Sequence, residues 1–270
     1  MLMKTIRVRD FDLYFTLNSG QVFRYERVDE RFVVSTADCL FSIRQEGDTL
    51  EFSGIGKREL EHYFRLDVPI SPQVRRLSED RFLKNATRKY RGLRIVRQNP
   101  WECLISFATA TCCNIPRIKK LLTNLCEACG SRIRSGKHEG RSFPKPGAFN
   151  NEARLRSIGF GYRAQYLAEL SRHVNIQWLE GLRQLEYSDA RRELCSLPGV
   201  GKKVADCTLL FSLGFDEAFP IDVHIRRCMQ QRYFNGSRVS DRAIAAFARE
   251  HFAGDAGLAQ QYMFCEMQNT

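Results

Sequence analysis

The sequence predicts an α+β protein: a small N-terminal antiparallel β-sheet followed by an all-helical body. Two observations carry this. Over residues 1 to about 55 the apolar residues gather in short aromatic and β-branched runs broken by polar turns. From Lys57 onward they recur at three- and four-residue spacing instead. Strands that come first and helices that follow segregate into the α+β arrangement. A third observation sets the scale: 270 residues, 43% hydrophobic and 27% charged, can bury a real core. That excludes a disordered tail, a collagen-like repeat and a disulfide-stapled miniprotein.

Taken in order, the opening stretch MLMKTIRVRDFDLYF carries Lys4, Arg7 and Arg9 and has no apolar signal core. One helix is expected early. Strands are expected at Arg24 to Val28, Arg31 to Thr36, Leu40 to Gln45 and Thr49 to Phe52, with turns at Val28-Asp29-Glu30 and Glu46-Gly47-Asp48. Helical faces then follow at Leu60, Tyr63 and Phe64, and at Leu83, Ala86 and Tyr90. Further faces are Leu104, Phe107 and Ala108, then Ile118, Leu121, Leu122 and Leu125. Arg134 to Gly147, with Gly, Ser, Lys and two prolines, reads as an exposed loop. The two expected domains are residues 1–95, the sheet with flanking helices, and 96–270, the helical body.

Composition narrows the function. Forty-two Lys+Arg against 31 Asp+Glu give a net charge of +11, which favours a polyanionic partner, most often nucleic acid and less often anionic lipid. The longest notable uncharged stretch, Cys103 to Pro116, is shorter than the ~20 apolar residues of a spanning helix, so no membrane partner is expected. The ten cysteines are expected to be reduced, in an intracellular setting.

The most informative segment runs from Leu194 to Cys207, Leu-Cys-Ser-Leu-Pro-Gly-Val-Gly-Lys-Lys-Val-Ala-Asp-Cys. Pro198 and Gly199 end one helix and Gly201 opens another at Lys202, a hairpin expected over about 188–213. Gly199, Val200 and Gly201 let the chain turn tightly and leave amides free at a helix N-terminus, where they suit a phosphate. A corner without ligand is the plainer reading of the same residues. Lys202 pairs at i,i+4 with Asp206 as an exposed ion pair. Lys203 shares a face with Cys207, Leu210 and Phe211, against apolar surroundings. A lysine attacks as its neutral amine, whose share grows with burial and nearby cations. Snorkelling to solvent is the alternative. Nineteen residues on, Asp222 stands in the run Phe-Pro-Ile-Asp-Val-His ending at His224. It is placed to cap the helix beginning near Val223, or to face a developing cation.

With these residues in view, the chain resembles the helix–hairpin–helix (HhH-GPD) DNA glycosylases, and among them the eukaryotic-type 8-oxoguanine DNA glycosylase/AP lyases. The resemblance covers nearly the whole chain. It runs through Asn18-Ser-Gly-Gln-Val-Phe-Arg24, Phe64-Arg-Leu-Asp67, Leu93-Arg-Ile-Val-Arg-Gln-Asn-Pro100 and Gly159-Phe-Gly-Tyr-Arg-Ala-Gln-Tyr166. It continues through the hairpin, Asp222-Val-His224 and Ala259-Gln260 to Phe264.

The resemblance implies a bifunctional base-excision enzyme acting on a base flipped out of the duplex. Lys203 is then the nucleophile at C1′, forming a Schiff base that permits β-elimination, and Asp222 stabilises the oxocarbenium-like transition state. 8-Oxoguanine differs from guanine at O8 and by a proton on N7, which the family reads with a backbone carbonyl, here that of Gly20. Cys207 and Phe264 match the pair that sandwiches the base, Gln260 the residue on its Watson–Crick edge, and His224 a pocket histidine near the phosphate. Arg117 and Arg163 match arginines that read the estranged cytosine, and Tyr162 the wedge beside the gap. The family's three consecutive asparagines fall on Cys112, Cys113 and Asn114; only Asn114 keeps the amide, so cytosine preference is expected and the two thiols leave its strictness open.

No cofactor is expected. The iron–sulfur cluster of some relatives needs four cysteines near the C-terminus, and only Cys228 and Cys265 lie beyond the hairpin helix. Cys126 and Cys129, with Cys112 and Cys113, would make a zinc site, but a lone C-x-x-C in a helical run is more often incidental. The expected partner is double-stranded DNA containing 8-oxoguanine opposite cytosine, bound by a monomer, in the nucleus of a eukaryote or the cytoplasm and nucleoid of a prokaryote. The alternatives are a glycosylase of this superfamily for a different damaged base, and a non-catalytic DNA-binding module. Lys203 and Asp222 argue against the module, which needs neither.

Overall fold

In the computed structural model, which describes residues 3–268, a five-stranded antiparallel sheet has the order β1-β5-β4-β3-β2. Its strands are β1 (Lys4–Arg7), β2 (Tyr25–Val28), β3 (Arg31–Ser35), β4 (Leu40–Glu46) and β5 (Thr49–Ser53), with helix α1 (Leu13–Asn18) between β1 and β2. The four expected strands are present. The fifth, β1, is mostly exposed and charged, so its pairing with β5 is decided by the sheet edge rather than by an apolar run. Phe32 pairs with Ile43, Val34 with Phe41, and Ile43 with Phe52, so alternate side chains of β3, β4 and β5 bury one continuous apolar face.

The rest is helical apart from one hairpin. In order come α2 (Lys57–Tyr63), α3 (Ser71–Ser78), α4 (Lys84–Lys89), α5 (Pro100–Thr109) and α6 (Ile115–Cys129). After strands β6 (Arg132–Ser135) and β7 (His138–Arg141) follow α7 (Glu152–Ser157), α8 (Arg163–His173) and α9 (Ile176–Gly181). The chain closes with α10 (Tyr187–Cys195), α11 (Lys202–Thr208), α12 (Val223–Tyr233), α13 (Asp241–Phe252) and α14 (Ala256–Gln268). Every residue of α5 is buried, and α11 packs directly on it. Among the described residues no helix is long and apolar enough to cross a membrane. The ten cysteines are all free thiols.

Two expectations are corrected. The stretch from Arg134 to Gly147 is not an exposed loop, because β6 and β7 form a hairpin over the outer face of the sheet. Gly140 lies against Leu40, a Cβ at Gly54 would meet Ser135, and Phe143 N donates to Ala37 O at 2.6 Å. Pro144 O accepts from Trp101 Nε1 of α5 at 2.8 Å. Polar strands whose small residues and backbone make the contacts leave no apolar alternation to read. The two buried cores interleave in sequence near the expected domain boundary. The sheet cluster ends with Phe64 apart from Val96, while Ile70, Leu77, Leu83 and Tyr90 already belong to the helical core.

Finally, Asp206 is not half of an exposed pair with Lys202. It is 1% exposed and accepts from Tyr187 Oη and Arg191 Nη2 of α10, each at 2.8 Å. Burial pushes its pKa up, opposed by Arg191. This buried ion pair fastens the two helices of the hairpin to each other. Removing one partner of such a pair strands the other charge. Asp206→Ala is therefore expected to destabilise the fold by about 3 kcal/mol, towards the low end for buried pairs because Arg191 keeps some solvent contact. A urea unfolding curve measures this, and an unshifted midpoint would contradict it.

Candidate active site

The hairpin is built as the glycine pattern requires. Helix α10 ends at Cys195, and Gly199 adopts φ +72°, a left-handed conformation costly for any side chain. A Cβ at Gly199 would also come within 2.5 Å of the Tyr166 ring, so glycine is needed there twice over. Gly201 is the N-cap of α11 and offers no side chain to the first-turn amides. Those donors are left for an outside acceptor, and the helix dipole adds partial positive charge at the same end. Val200 is buried beneath the turn as its apolar anchor.

Beside this turn opens a largely apolar cleft of about 850 Å³, large enough for an extruded nucleotide. Residues far apart in sequence meet in it: Gly20 before β2, Asn114 before α6, Lys203 and Cys207 on α11, Asp222 and His224 at α12, Gln260 and Phe264 on α14. Of the expected catalytic, pocket and DNA-binding residues, Val200, Arg117, Tyr162 and Arg163 are not part of its lining.

Lys203 is half-buried, with Nζ 4.8 Å from the centroid of the Phe107 ring on α5. Phe107 stacks on Phe211 at 5.4 Å and meets Phe23 edge-on at 5.4 Å, giving the amine an aromatic floor. Phe211 lies in a π-helical turn, Leu209–Leu213, that continues α11. Cys207 is buried, and its thiol is pushed up to about 12 by desolvation, with Lys203 pulling the other way. At neutral pH it is a neutral thiol, a small apolar wall rather than a counter-ion for the lysine.

Asp222 serves as the N-cap of α12, its Oδ1 accepting from Ile225 N at 2.8 Å. The cap fixes the carboxylate and leaves the second oxygen free of that duty. His224 is exposed on the first turn of the same helix. Gly20, at φ +75°, approaches Phe264 so closely that a Cβ would fall 2.5 Å from Cε1 of its ring. Gln260 is 4% exposed, and its Oε1 is buried without a hydrogen-bond partner. A buried acceptor left unpaired is costly, and a ligand that donates to it removes that cost.

The remaining candidates lie along the rim. Asn114 caps α6, its Oδ1 accepting from Arg117 N at 3.0 Å, while the Arg117 side chain is exposed. Tyr162 is 57% exposed, immediately before α8. Arg163 is different: it is 5% exposed and its guanidinium holds the carbonyls of Thr111 and Cys112 while covering the Tyr162 ring at 4.5 Å. Cys112 takes φ +50°, which asparagine tolerates better than cysteine, and Arg163 braces that turn. Phe107 reads in the sequence only as a position on an apolar helical face, since nothing local distinguishes a buried aromatic from one that floors a cleft.

Comparison with known proteins places the chain among DNA glycosylases. Residues 4–104 match the family described as 8-oxoguanine DNA glycosylase, N-terminal domain, and residues 106–253 the HhH-GPD superfamily base excision DNA repair proteins. The chain is 30% identical to a probable N-glycosylase/DNA lyase of Methanothermobacter thermautotrophicus, over 96% of this chain and 94% of that protein. It is 34% identical to the N-glycosylase/DNA lyase of Saccharomyces cerevisiae over 70% of this chain, which spans 57% of the yeast protein. Among solved structures it is similar to the Clostridium acetobutylicum 8-oxoguanine glycosylase/lyase bound to double-stranded DNA containing cytosine opposite 8-oxoguanine. That likeness has a TM-score of 0.92 and 27% identity, covering 100% of this chain and 98% of the other.

Proposed function

The chain belongs to the HhH-GPD superfamily of base excision DNA repair proteins, and we propose that it excises 8-oxoguanine from duplex DNA and cleaves the abasic site that remains. The observation that carries the chemistry is the meeting of Lys203 and Asp222 in one cleft, beside a helix N-terminus with no side-chain cap. The hairpin amides hold a backbone phosphate, and the lesion turns out of the stack into the cleft.

Lys203 then attacks C1′ as a neutral amine. The bond from C1′ to the base nitrogen breaks, its electron pair leaves with the base, and the base takes up the proton that the attacking amine gives up. The Asp222 carboxylate faces the positive charge that grows on the sugar while this bond lengthens. Opening of the sugar gives an imine between Lys203 and C1′. Loss of a C2′ proton then expels the 3′ phosphate by β-elimination, and water returns the lysine. No step as written calls on a metal or organic cofactor, and one chain supplies the whole cleft, so a monomer suffices.

Recognition follows from hydrogen-bond polarity. Gln260 Oε1 accepts from the N–H donors on the Watson–Crick edge of a guanine-type base, which ends its isolation. The Gly20 carbonyl accepts the N7–H that 8-oxoguanine has and guanine lacks. Facing guanine, that carbonyl meets a lone pair, at a cost of about 1–3 kcal/mol. Cys207 and Phe264 cover the two faces of the base. On the other strand Tyr162 fills the gap, with Asn114 and Arg117 around an estranged cytosine, thiols at Cys112 and Cys113, and Arg163 bracing the turn that carries them.

Base release from duplexes carrying 8-oxoguanine, 3-methyladenine or a preformed abasic site tests this reading. Release of 8-oxoguanine with strand cleavage is expected, and release of 3-methyladenine alone would move the assignment to another damaged base. Binding without release from any duplex would leave only a DNA-binding module. Gly20→Ala is expected to lower 8-oxoguanine release by about tenfold or more, because its Cβ enters the Phe264 ring and φ +75° is strained. Single-turnover release measures this loss, and wild-type rates would remove Gly20 from the pocket.

A further inference from the structure

Discrimination by one carbonyl requires that carbonyl to be held still, and glycine is the residue least able to hold itself. Gly20 is flanked by two residues whose own carbonyls are each gripped from a different wall of the cleft. Ser19 O accepts from Gln261 Nε2 of α14 at 2.5 Å. Gln21 O accepts from Gln98 Nε2 at 2.7 Å, and Gln98 N in turn donates to Phe211 O, in the π-helical turn after Lys203 and Cys207, at 2.8 Å. The Gln21 side chain fastens the same segment from within, donating to Arg94 O at 2.7 Å and Ser19 Oγ at 2.8 Å and accepting from Val96 N at 2.8 Å. Gln21, Gln98 and Gln261 are 0%, 8% and 1% exposed, so water does not compete for these bonds.

We infer that Gln21, Gln98 and Gln261 are positioning residues that lock the Gly20 segment to the helices carrying Cys207 and Gln260, and so set which base the cleft accepts. The inference rests on the base-excision reading above. The three glutamines tie together the wall that reads N7, the wall that bears the nucleophile and the wall that meets the Watson–Crick edge. None of them need touch the base. A misplacement near 1 Å in such a constellation costs on the order of a hundredfold in rate, so these bonds act through geometry.

The test uses Gln98→Met and Gln261→Met, which keep much of the shape and remove the amide donor; Gln21→Met loses too many bonds to be informative. For each, single-turnover release of 8-oxoguanine is compared with cleavage of a preformed abasic site in the same duplex, where there is no base to read. The ratio of the two rates is expected to fall by about tenfold, the equivalent of losing one buried hydrogen bond. Glutamines that only support the fold would lower both rates together, and an unchanged ratio overturns the inference. If wild type cleaves the abasic site but releases another damaged base in place of 8-oxoguanine, the substrate reading fails, and the ratio taken with that base decides the positioning role. Release of no base by wild type overturns both.

Discussion

Lys203→Gln is expected to abolish covalent capture of the enzyme on 8-oxoguanine duplexes by borohydride and to reduce base release and strand cleavage by about a thousandfold or more. Glutamine keeps length and polarity but has no amine to form the imine that borohydride reduces. The Phe107 floor and the Cys207 wall remain, so DNA affinity should change little. Wild-type capture by the variant would remove Lys203 from the mechanism. Retained strand cleavage without capture would point to hydrolysis in place of β-elimination.

Asp222→Asn is the second large effect, and it separates two duties that one side chain performs. Asparagine caps a helix about as well as aspartate, so α12 and the stability of the fold should be preserved. What is lost is the negative charge facing the developing sugar cation, and base release should fall by about a hundred- to a thousandfold. Asp222→Ala removes the cap as well, adding a destabilisation of about 1 kcal/mol. Thermal unfolding beside single-turnover rates resolves the two. An Asp222→Asn variant that keeps its rate would show the carboxylate to be only a cap.

Much of the site was legible because its chemistry sits in short runs. The hairpin reads from Pro198 to Gly201 because glycine and proline act on their own backbone, and the structure places φ +72° at Gly199 and an uncapped helix start at Gly201. Asp222 reads as a cap because capping is decided within three residues. The residues without a local signature were missed. The i,i+4 spacing pairs Asp206 with Lys202, but its partners are Tyr187 and Arg191 on the neighbouring helix, which no i,i+4 rule can find. The β6–β7 hairpin escaped because polar strands covering a sheet bury backbone and small residues rather than an apolar face.

The sequence alone therefore determined the order of sheet and helices, the hairpin, the lysine and aspartate, and the basic charge that suits DNA. The order of elements, the hairpin and the charge follow from periodicity, backbone preference and composition, which act over a few residues or need no geometry, while the roles of the lysine and the aspartate come from the family resemblance. Only the tertiary structure decided that Gly20, Lys203, Asp222 and Gln260 share one cleft, that Phe107 lies beneath the amine, and that three buried glutamines pin the segment around Gly20. Those contacts join residues up to 242 positions apart, as between Ser19 and Gln261. They exist because closing the two hydrophobic cores brings the polar groups between them out of water, where each must find whichever partner the packing delivers.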